Sequence, residues 1–513
     1  MAGERLKGPQ GIKRWKRPSQ CEQTSQTGLA LVVFPRSSTG LSVSIIPKGR
    51  KRMTALETKP HIPFAGGSYP VREGNLIRPL IDGEPAFRRI CEAIEAARHS
   101  VWVTVAFIDS GFEMPDGRGS LFDVLDAAAA RGLDVRALFW RNNEGSGFPE
   151  DSMFSGLPHH RAMLKARGAR FRARWDRAQK AYCQHQKSWF LDAGQDGETA
   201  FVGGINLQTN SMSPPGHGDR LVRPVHDVYT EVCGPSATDV HHNFVQRWNE
   251  ASERLAEDGS WRSTASDDLP FPTEVSPSRG DALAQVQRTV RAGHYTDGRP
   301  SPGGGEYPIA QGDLAIIEQY RLAIRAAKRS IYIENQAIGL PETVEDLHAA
   351  LERGVEVVCV TPSEADGFTR AARRDPRSAE FFRRFGALDG HPNFTLAGIA
   401  AADADGQMRD IYVHSKVMLV DDAWGTIGSC NIGSRSFFGD IELNVSFWSP
   451  DTVKRLRYEL FAEHLATDTS SLGDAQALRL FAEITRRNAM QRMSSKGDWL
   501  GMAFRLDAAT YGV

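Results

Sequence analysis

One internal duplication constrains this chain more than any other feature. Ala93-Ile-Glu-Ala-Ala-Arg-His-Ser100-Val-Trp-Val103 recurs 230 positions later as Ala323-Ile-Arg-Ala-Ala-Lys-Arg-Ser330-Ile-Tyr-Ile333. Arg131-Gly-Leu-Asp-Val135 recurs after 222 positions as Arg353-Gly-Val-Glu-Val357, and His185-Gln-Lys187 after 229 as His414-Ser-Lys416. Three matches in one order with similar shifts imply two homologous lobes, and the period is too long for a solenoid. The first matched segment reads as the end of an amphipathic helix running into a buried strand. Each lobe is therefore expected to be α/β, a mixed sheet flanked by helices. The expected boundaries are an N-terminal extension over residues 1–70, a first lobe over 71–256, linker and inter-lobe loops over 257–312, and a second lobe with C-terminal helices over 313–513.

Composition narrows the classes around that frame. The 513 residues are 41% hydrophobic and 24% charged, with net charge −1, an ordinary globular balance without a global pull toward nucleic acid. Cys21, Cys91, Cys183, Cys233, Cys359 and Cys430 form no C-x-x-C pair, which argues against a cysteine-built zinc site and a dense disulfide framework. No segment approaches the roughly 18–20 apolar residues that span a bilayer, and Leu29–Phe34 is too short for a signal-peptide core. A cytoplasmic or peripheral membrane protein is expected, with secretion the alternative, and a monomer. The basic clusters Lys13–Arg17 and Lys48–Arg52 read as a solvated, partly disordered tail, the alternative being an arm for anionic headgroups.

The sharpest chemical signal is a pair of H-x-K-x-x-x-x-D octets, His185 to Asp192 and His414 to Asp421. Each lies in a β-prone run, where residues two apart point the same way, so each histidine should share a face with its lysine (Lys187, Lys416). A titratable imidazole beside a fixed positive charge is what a phosphate site requires. Each octet leads through a turn to a small-residue loop, Gly203-Gly204-Ile-Asn206 and Gly428-Ser429-Cys-Asn431. Small residues let backbone and amide donors approach an oxyanion closely. The first loop carries Gly204 where the second has Ser429, so one hydroxyl contact is expected to be missing.

These segments resemble the phospholipase D superfamily, in particular its plant and bacterial phospholipase D branch. The second lobe supplies Ile411 to Asp422, Ile427 to Ser436, Asp440-Ile-Glu-Leu443 and Arg455 to His464; the first supplies Phe201 to Leu207 and His226 to Pro235. Glu334-Asn-Gln336 fits that branch better than the cardiolipin synthases. The resemblance covers about residues 75 to 465 and leaves no room for the calcium-binding or lipid-binding modules of larger relatives, so calcium dependence is not carried over. It implies two lobes related by a pseudo-twofold axis with both octets in one cleft, and a phosphodiesterase that needs neither metal nor cofactor. The implied reaction converts phosphatidylcholine-like lipids at a membrane surface to phosphatidic acid, with water or an alcohol as acceptor.

The resemblance makes His185 the nucleophile that forms a phosphohistidine, and His414 the acid and base. Lys187, Lys416, Asn206 and Asn431 would hold the nonbridging oxygens, with Gly204 and Ser429 beside them. Each imidazole needs an acceptor on its far nitrogen. Glu442, 28 residues after His414, fits that job, and Asp227, 42 residues after His185, is its first-lobe counterpart. Asp192 and Asp421 belong to the motif but read as turn anchors. The surplus in the first lobe falls partly in Met212 to Asp219, read as a surface loop or a cleft mouth that selects headgroups. His159, His160, His217, His241, His242 and His464 have no partner motif and are set aside. Trp140 and Trp189 read as core or cleft wall, Cys183 and Cys430 as packing, and Gly303-Gly-Gly305 as linker. The rivals are a cardiolipin synthase-type phosphatidyltransferase, a nucleic-acid phosphodiesterase and a catalytically inert scaffold.

Overall fold

A computed structural model describes residues 60–148, 153–218, 223–403, 406–493 and 499–513. Both basic N-terminal clusters, Cys21 and Asp219 lie outside the described residues.

The duplication is visible strand by strand. In the first lobe the sheet runs Arg72–Ile81, Val228–Cys233, Thr199–Gly203, Ser188–Leu191, Ser100–Val105, Asp134–Trp140, Arg172–Asp176. In the second lobe the order is Ala282–Val290, Glu442–Trp448, Trp424–Gly428, Lys416–Val420, Ser330–Asn335, Glu356–Val360, Phe394–Ala402. The first four pairings are antiparallel and the last two parallel in each. Arg72 and Asn75 also pair with Ala284 and Ala282, joining the two sheets.

Amphipathic helices cover the outer faces. Gly83–Ala96 buries Phe87, Ile90, Cys91 and Ile94, and Ala315–Ala326 buries Ile316, Tyr320, Ala323 and Ile324, stripes at the three- and four-residue spacings of a core-facing helix. The inner faces share one core, in which Ile77, Trp102, Val202 and Val228 meet Val413, Ile427, Leu443 and Val445. Full burial of such side chains is worth about 1.5–3 kcal/mol each, so the lobes are held by a common interior.

Two boundaries differ from the sequence expectation. The stretch read as linker contains Ala282–Val290, buried at all nine positions and equivalent to the first lobe's opening strand. Its Ala, Gln, Arg and Thr content, between Ser/Pro/Gly-rich loops, masked its strand character. Residues 60–70, assigned to the extension, pack on the second lobe: Ile62 is buried, its carbonyl accepts from Trp448 Nε1 at 2.9 Å, and Ala65 N donates to Gln319 Oε1 at 2.8 Å.

The octet aspartates stand at the chain's repeated segments. Asp192 Oδ1 accepts from the backbone nitrogens of Arg98, His99 and Ser100. Asp421 accepts from those of Lys328, Arg329 and Ser330, and from His61 Nε2. Both sit at φ near +55°, a left-handed conformation that aspartate tolerates at a turn. Their role is to fasten helix–strand junctions.

Candidate active site

The histidines stand just before their strands, not within them: the ladders begin at Ser188 and Lys416. What holds each histidine is the other lobe. His185 N donates to Ile441 O and Ile441 N to Cys183 O, both at 2.9 Å. On the other side Tyr412 and Val413 run parallel to Val225 and His226, and His414 N donates to His226 O at 2.8 Å. Each histidine segment is therefore laid beside the segment bearing the opposite lobe's acid.

The side chains follow that exchange. His185 Nδ1 lies 2.9 Å from both oxygens of Glu442, and His414 Nδ1 lies 2.6 Å from Asp227 Oδ2. The within-lobe pairing expected from sequence spacing is replaced by a crossed one, because the cleft lies on the lobe interface. Both histidines line one cavity of about 680 Å³, with Asn206 and Asn431. The side-chain oxygens of both asparagines are buried without a hydrogen-bond partner among the described residues.

Lys187 and Lys416 are buried behind the histidines, and each Nζ donates to the carbonyl of its own octet histidine. Burial, then the charges of Lys187 and Lys416, holds the His185 imidazole well below its usual range. Burial and Lys416 lower His414 to about 3 against the opposing pull of Asp227. Burial lowers Lys187, and pushes Lys416 down to about 7. Burial raises the Glu442 carboxyl to about 7. Burial is the first cause of every one of these shifts and disfavours the charged form of each group; an entering phosphate diester would restore protons to His414 and Lys416.

Gly204 and Ser429 stand directly beside the two acids. Ser429 Oγ donates to Glu442 Oε2 at 2.5 Å, so its hydroxyl is already used. A Cβ on Gly204 would stand 2.3 Å from Asp227 Oδ1, so that position must be glycine for the His414–Asp227 pair to form. Arg435 and Asp440 were not singled out from the sequence. Both line the cavity, Arg435 Nε binds Asp440 Oδ2 at 2.9 Å, and Asp440 Oδ1 accepts from Cys183 N. Arg435 falls four residues after Asn431 inside the quoted motif, which was the available signal. Cys183 and Cys430 are buried and form no disulfide among the described residues, and Trp140 and Trp189 are buried core.

The histidines set aside fall into three groups, of which the first is His159 and His160 on the helix Pro158–Ala166, His159 exposed and His160 Nδ1 accepting from Leu157 N. His241 and His242 are satisfied core groups, bonded to Glu198 and to Tyr69 with Arg299 O. His217 and His464 join a buried cluster behind His414. His226 Nδ1 meets Asp82 at 3.0 Å and its Nε2 meets Glu334 at 3.1 Å; His464 Nε2 meets Glu334 at 2.9 Å, and His217 Nε2 lies 3.2 Å from Asp82. Against the burial that pulls it down, Glu334 and Asp82 carry the His226 imidazole well above its usual range. Asp82, His217, His226 and Glu463 bring their side-chain nitrogens and oxygens within 4.8 Å of one another, as do His226, Glu334 and His464. Within the Met212–Asp219 segment His217 turns inward to this cluster and Ser213 Oγ accepts from Val225 N, while Asn210 and Ser211 just before the segment line the cavity.

Family comparisons match both lobes. The family described as "Cardiolipin synthase, PLD-like domain" matches residues 90–216 and again 320–464, and the family "Phospholipase D" matches 218–342. The chain is 26% identical to phospholipase D alpha 2 of Oryza sativa subsp. japonica, over 79% of this chain and 65% of that protein. It is 27% identical to cardiolipin synthase A of Pseudomonas entomophila (strain L48), over 74% of this chain and 66% of that one. It thus spans about two thirds of the length of these relatives. Among solved structures, the phosphatidylserine synthase of Haemophilus influenzae Rd KW20 aligns over 83% of this chain and 97% of its own, with 14% identity and a TM-score of 0.49.

Proposed function

Because this chain belongs to the phospholipase D superfamily, we propose that it is a phospholipase D. It hydrolyses phosphatidylcholine-like glycerophospholipids to phosphatidic acid and free headgroup, and transfers the phosphatidyl group to alcohols. The observation that carries the reading is the pair of crossed imidazole–carboxylate contacts, which fix both Nδ1 atoms while both rings reach one cavity.

The two environments support different roles. His185 is surrounded by Lys187, Lys416 and Arg435, which favour its neutral form, the form with a lone pair on Nε2. His414 has Asp227 at 2.6 Å, which favours its protonated form once a phosphate is bound. Burial lowers both imidazoles, and the opposing pull of Asp227 on His414 is the difference on which this assignment rests. His185 Nε2 attacks phosphorus while the bond to the headgroup oxygen breaks, and that oxygen takes a proton from His414 Nε2. His414 then takes a proton from water, the new hydroxide attacks phosphorus, and the P–N bond to His185 breaks. Lys187 and Lys416, with the amides of Asn206 and Asn431, balance the charge on the nonbridging oxygens.

A second reading has a specific support. A cardiolipin synthase-type transferase runs the same first half-reaction and delivers the phosphatidyl group to a glycerol hydroxyl, and relatives of that name resemble this chain as closely as the phospholipases do. Among the described residues no helix is long and apolar enough to cross a membrane, and the proposed enzyme meets lipid from the water side. The test incubates the protein with phosphatidylcholine in chelator, with and without a primary alcohol, and with phosphatidylglycerol in parallel. Phosphatidic acid plus phosphatidyl-alcohol supports the phospholipase, cardiolipin supports the transferase, and cleavage of DNA alone rejects both. His185→Ala abolishes turnover in either case.

A further inference from the structure

One wall of the cavity is built from a helical pair that the catalytic reading does not use. The helix Gly367–Arg374 buries none of its residues, and Ala379–Gly386 buries only Phe382 and Phe385. Phe368, Thr369, Ala372, Arg377, Phe381 and Phe382 line the cavity from this pair. Phe368 is nevertheless 51% exposed and the Arg377 side chain 89% exposed, so these two residues stand where the cavity opens to solvent. A second exposed aromatic, Phe438, ends the short helix Ser434–Phe438, whose Ser434, Arg435 and Ser436 also line the cavity.

The remaining faces of the pair are cationic. Arg370, Arg373, Arg374, Arg377, Arg383 and Arg384 stand against Asp366, Asp375 and Glu380, a local excess of positive charge in a chain whose net charge is −1. Glu345 adds a partner for Arg384 at 3.6 Å. The pairs of Arg377 with Asp375 and Arg383 with Glu380 are largely exposed and so are easily exchanged for other anions. Arg374 is exposed and has no ion pair among the described residues. On the helix Gly367–Arg374, Phe368 and Ala372 occupy the cavity side while Arg370 and Arg374 fall on the far side of the 3.6-residue turn.

We infer that this helical pair is the lip by which the enzyme seats on an anionic lipid bilayer, with Phe368 entering the acyl boundary and the arginines meeting headgroup phosphates. An amphipathic helix with an aromatic on one face and arginines on the other is the arrangement that lies in a membrane interface. The placement has a mechanistic use, because a lipid drawn from the bilayer at this lip passes into the cavity without crossing water. The inference rests on the proposed phospholipid substrate.

The test separates docking from chemistry. Full-length protein inactivated by His185→Ala is floated with phosphatidylcholine vesicles with and without phosphatidylglycerol. Binding should require phosphatidylglycerol and weaken as salt shortens the Debye length. Arg374→Glu with Arg383→Glu should lower it about tenfold or more, and Phe368→Asp should lower it as well. In otherwise active protein the double arginine variant should lose activity on those vesicles by a similar factor, yet cleave monomeric short-chain phosphatidylcholine within about twofold of the parent. Unchanged vesicle binding in the double variant, which would place docking elsewhere (the basic segment before residue 60 included), overturns the inference, as does equal loss on the monomeric substrate or binding of nucleic acid in preference to vesicles. Docking without cleavage of any phospholipid would instead sink the proposed function and leave the lip standing.

Discussion

His185 Nδ1 is held by the carboxylate of Glu442, 257 positions away and in the other lobe, at 2.9 Å to each oxygen. Neither lobe therefore completes the imidazole–carboxylate pair of its own octet histidine, and the converse contact, His414 with Asp227, crosses the interface the other way. On the proposed mechanism the duplicated halves act only together, since each supplies the orienting group for its neighbour's histidine.

This crossing makes a kinetic prediction. Glu442→Gln should slow formation of the phosphoenzyme on His185 by about 10²–10⁴-fold, the scale of losing an orienting carboxylate. Asp227→Asn should act on proton delivery to the leaving group. With a p-nitrophenyl phosphodiester, whose leaving group needs no proton, Asp227→Asn should be largely spared and Glu442→Gln should not. Rapid-quench measurement of the phosphoenzyme distinguishes them, and the opposite pattern would show that the acids serve the histidines of their own lobes.

Gly204 and Ser429 occupy equivalent places with different consequences. Gly204→Ala puts a methyl group 2.3 Å from Asp227 Oδ1 and should cost most of the activity through displaced His414. Ser429→Ala removes one donor from the buried Glu442 carboxylate and should cost about 1–3 kcal/mol of stability with a smaller effect on turnover. Thermal unfolding and kcat of the two variants, measured together, should show this inversion; equal activity losses would contradict it.

Asp421 and Asp192 illustrate how much a motif can conceal. Asp421→Ala strips acceptors from three backbone N–H groups at a buried junction and should destabilise by about 2 kcal/mol or more. Asp192→Ala, at a junction whose bonds are more exposed, should cost less. Neither should change the rate-limiting chemistry, so kcat of the surviving folded protein should stay within about threefold of the parent; a selective loss of kcat at unchanged Tm would give these residues a catalytic part.

The duplication, the octets and the α/β class were legible because they are local patterns repeated in register: His185 and His414, Ser100 and Ser330. The crossing was not, because spacing along the chain records which residues are near in sequence and contains nothing about which lobe's loop passes in front of which. Asp227 and Glu442 were found, but their partners were exchanged. The strand Ala282–Val290 escaped because its buried polar residues are satisfied by remote groups, as when Ser446 Oγ donates to Gln287 Oε1. His217, His226 and His464 escaped for the same reason: each looks isolated until Asp82, Glu334 and Glu463 are brought to it by folding.

Lys416 links site chemistry to stability. Its ammonium is fully buried and its pKa lies near 7, against about 10.4 in an unfolded chain. Below pH 7 both states carry the proton and the folded state bears the whole desolvation cost. Between about 7 and 10.4 the unfolded chain binds the extra proton, so stability rises with pH and the cost fades. Lys416→Met should therefore be inactive yet more stable than the parent near pH 6.5, by an amount on the order of a few kcal/mol, and this advantage should shrink toward pH 10. Thermal unfolding of parent and variant across that range measures it. A variant that is less stable than the parent at pH 6.5 would mean that the bonds made by the Nζ outweigh its burial, and that the lysine is there for the fold before it is there for phosphate.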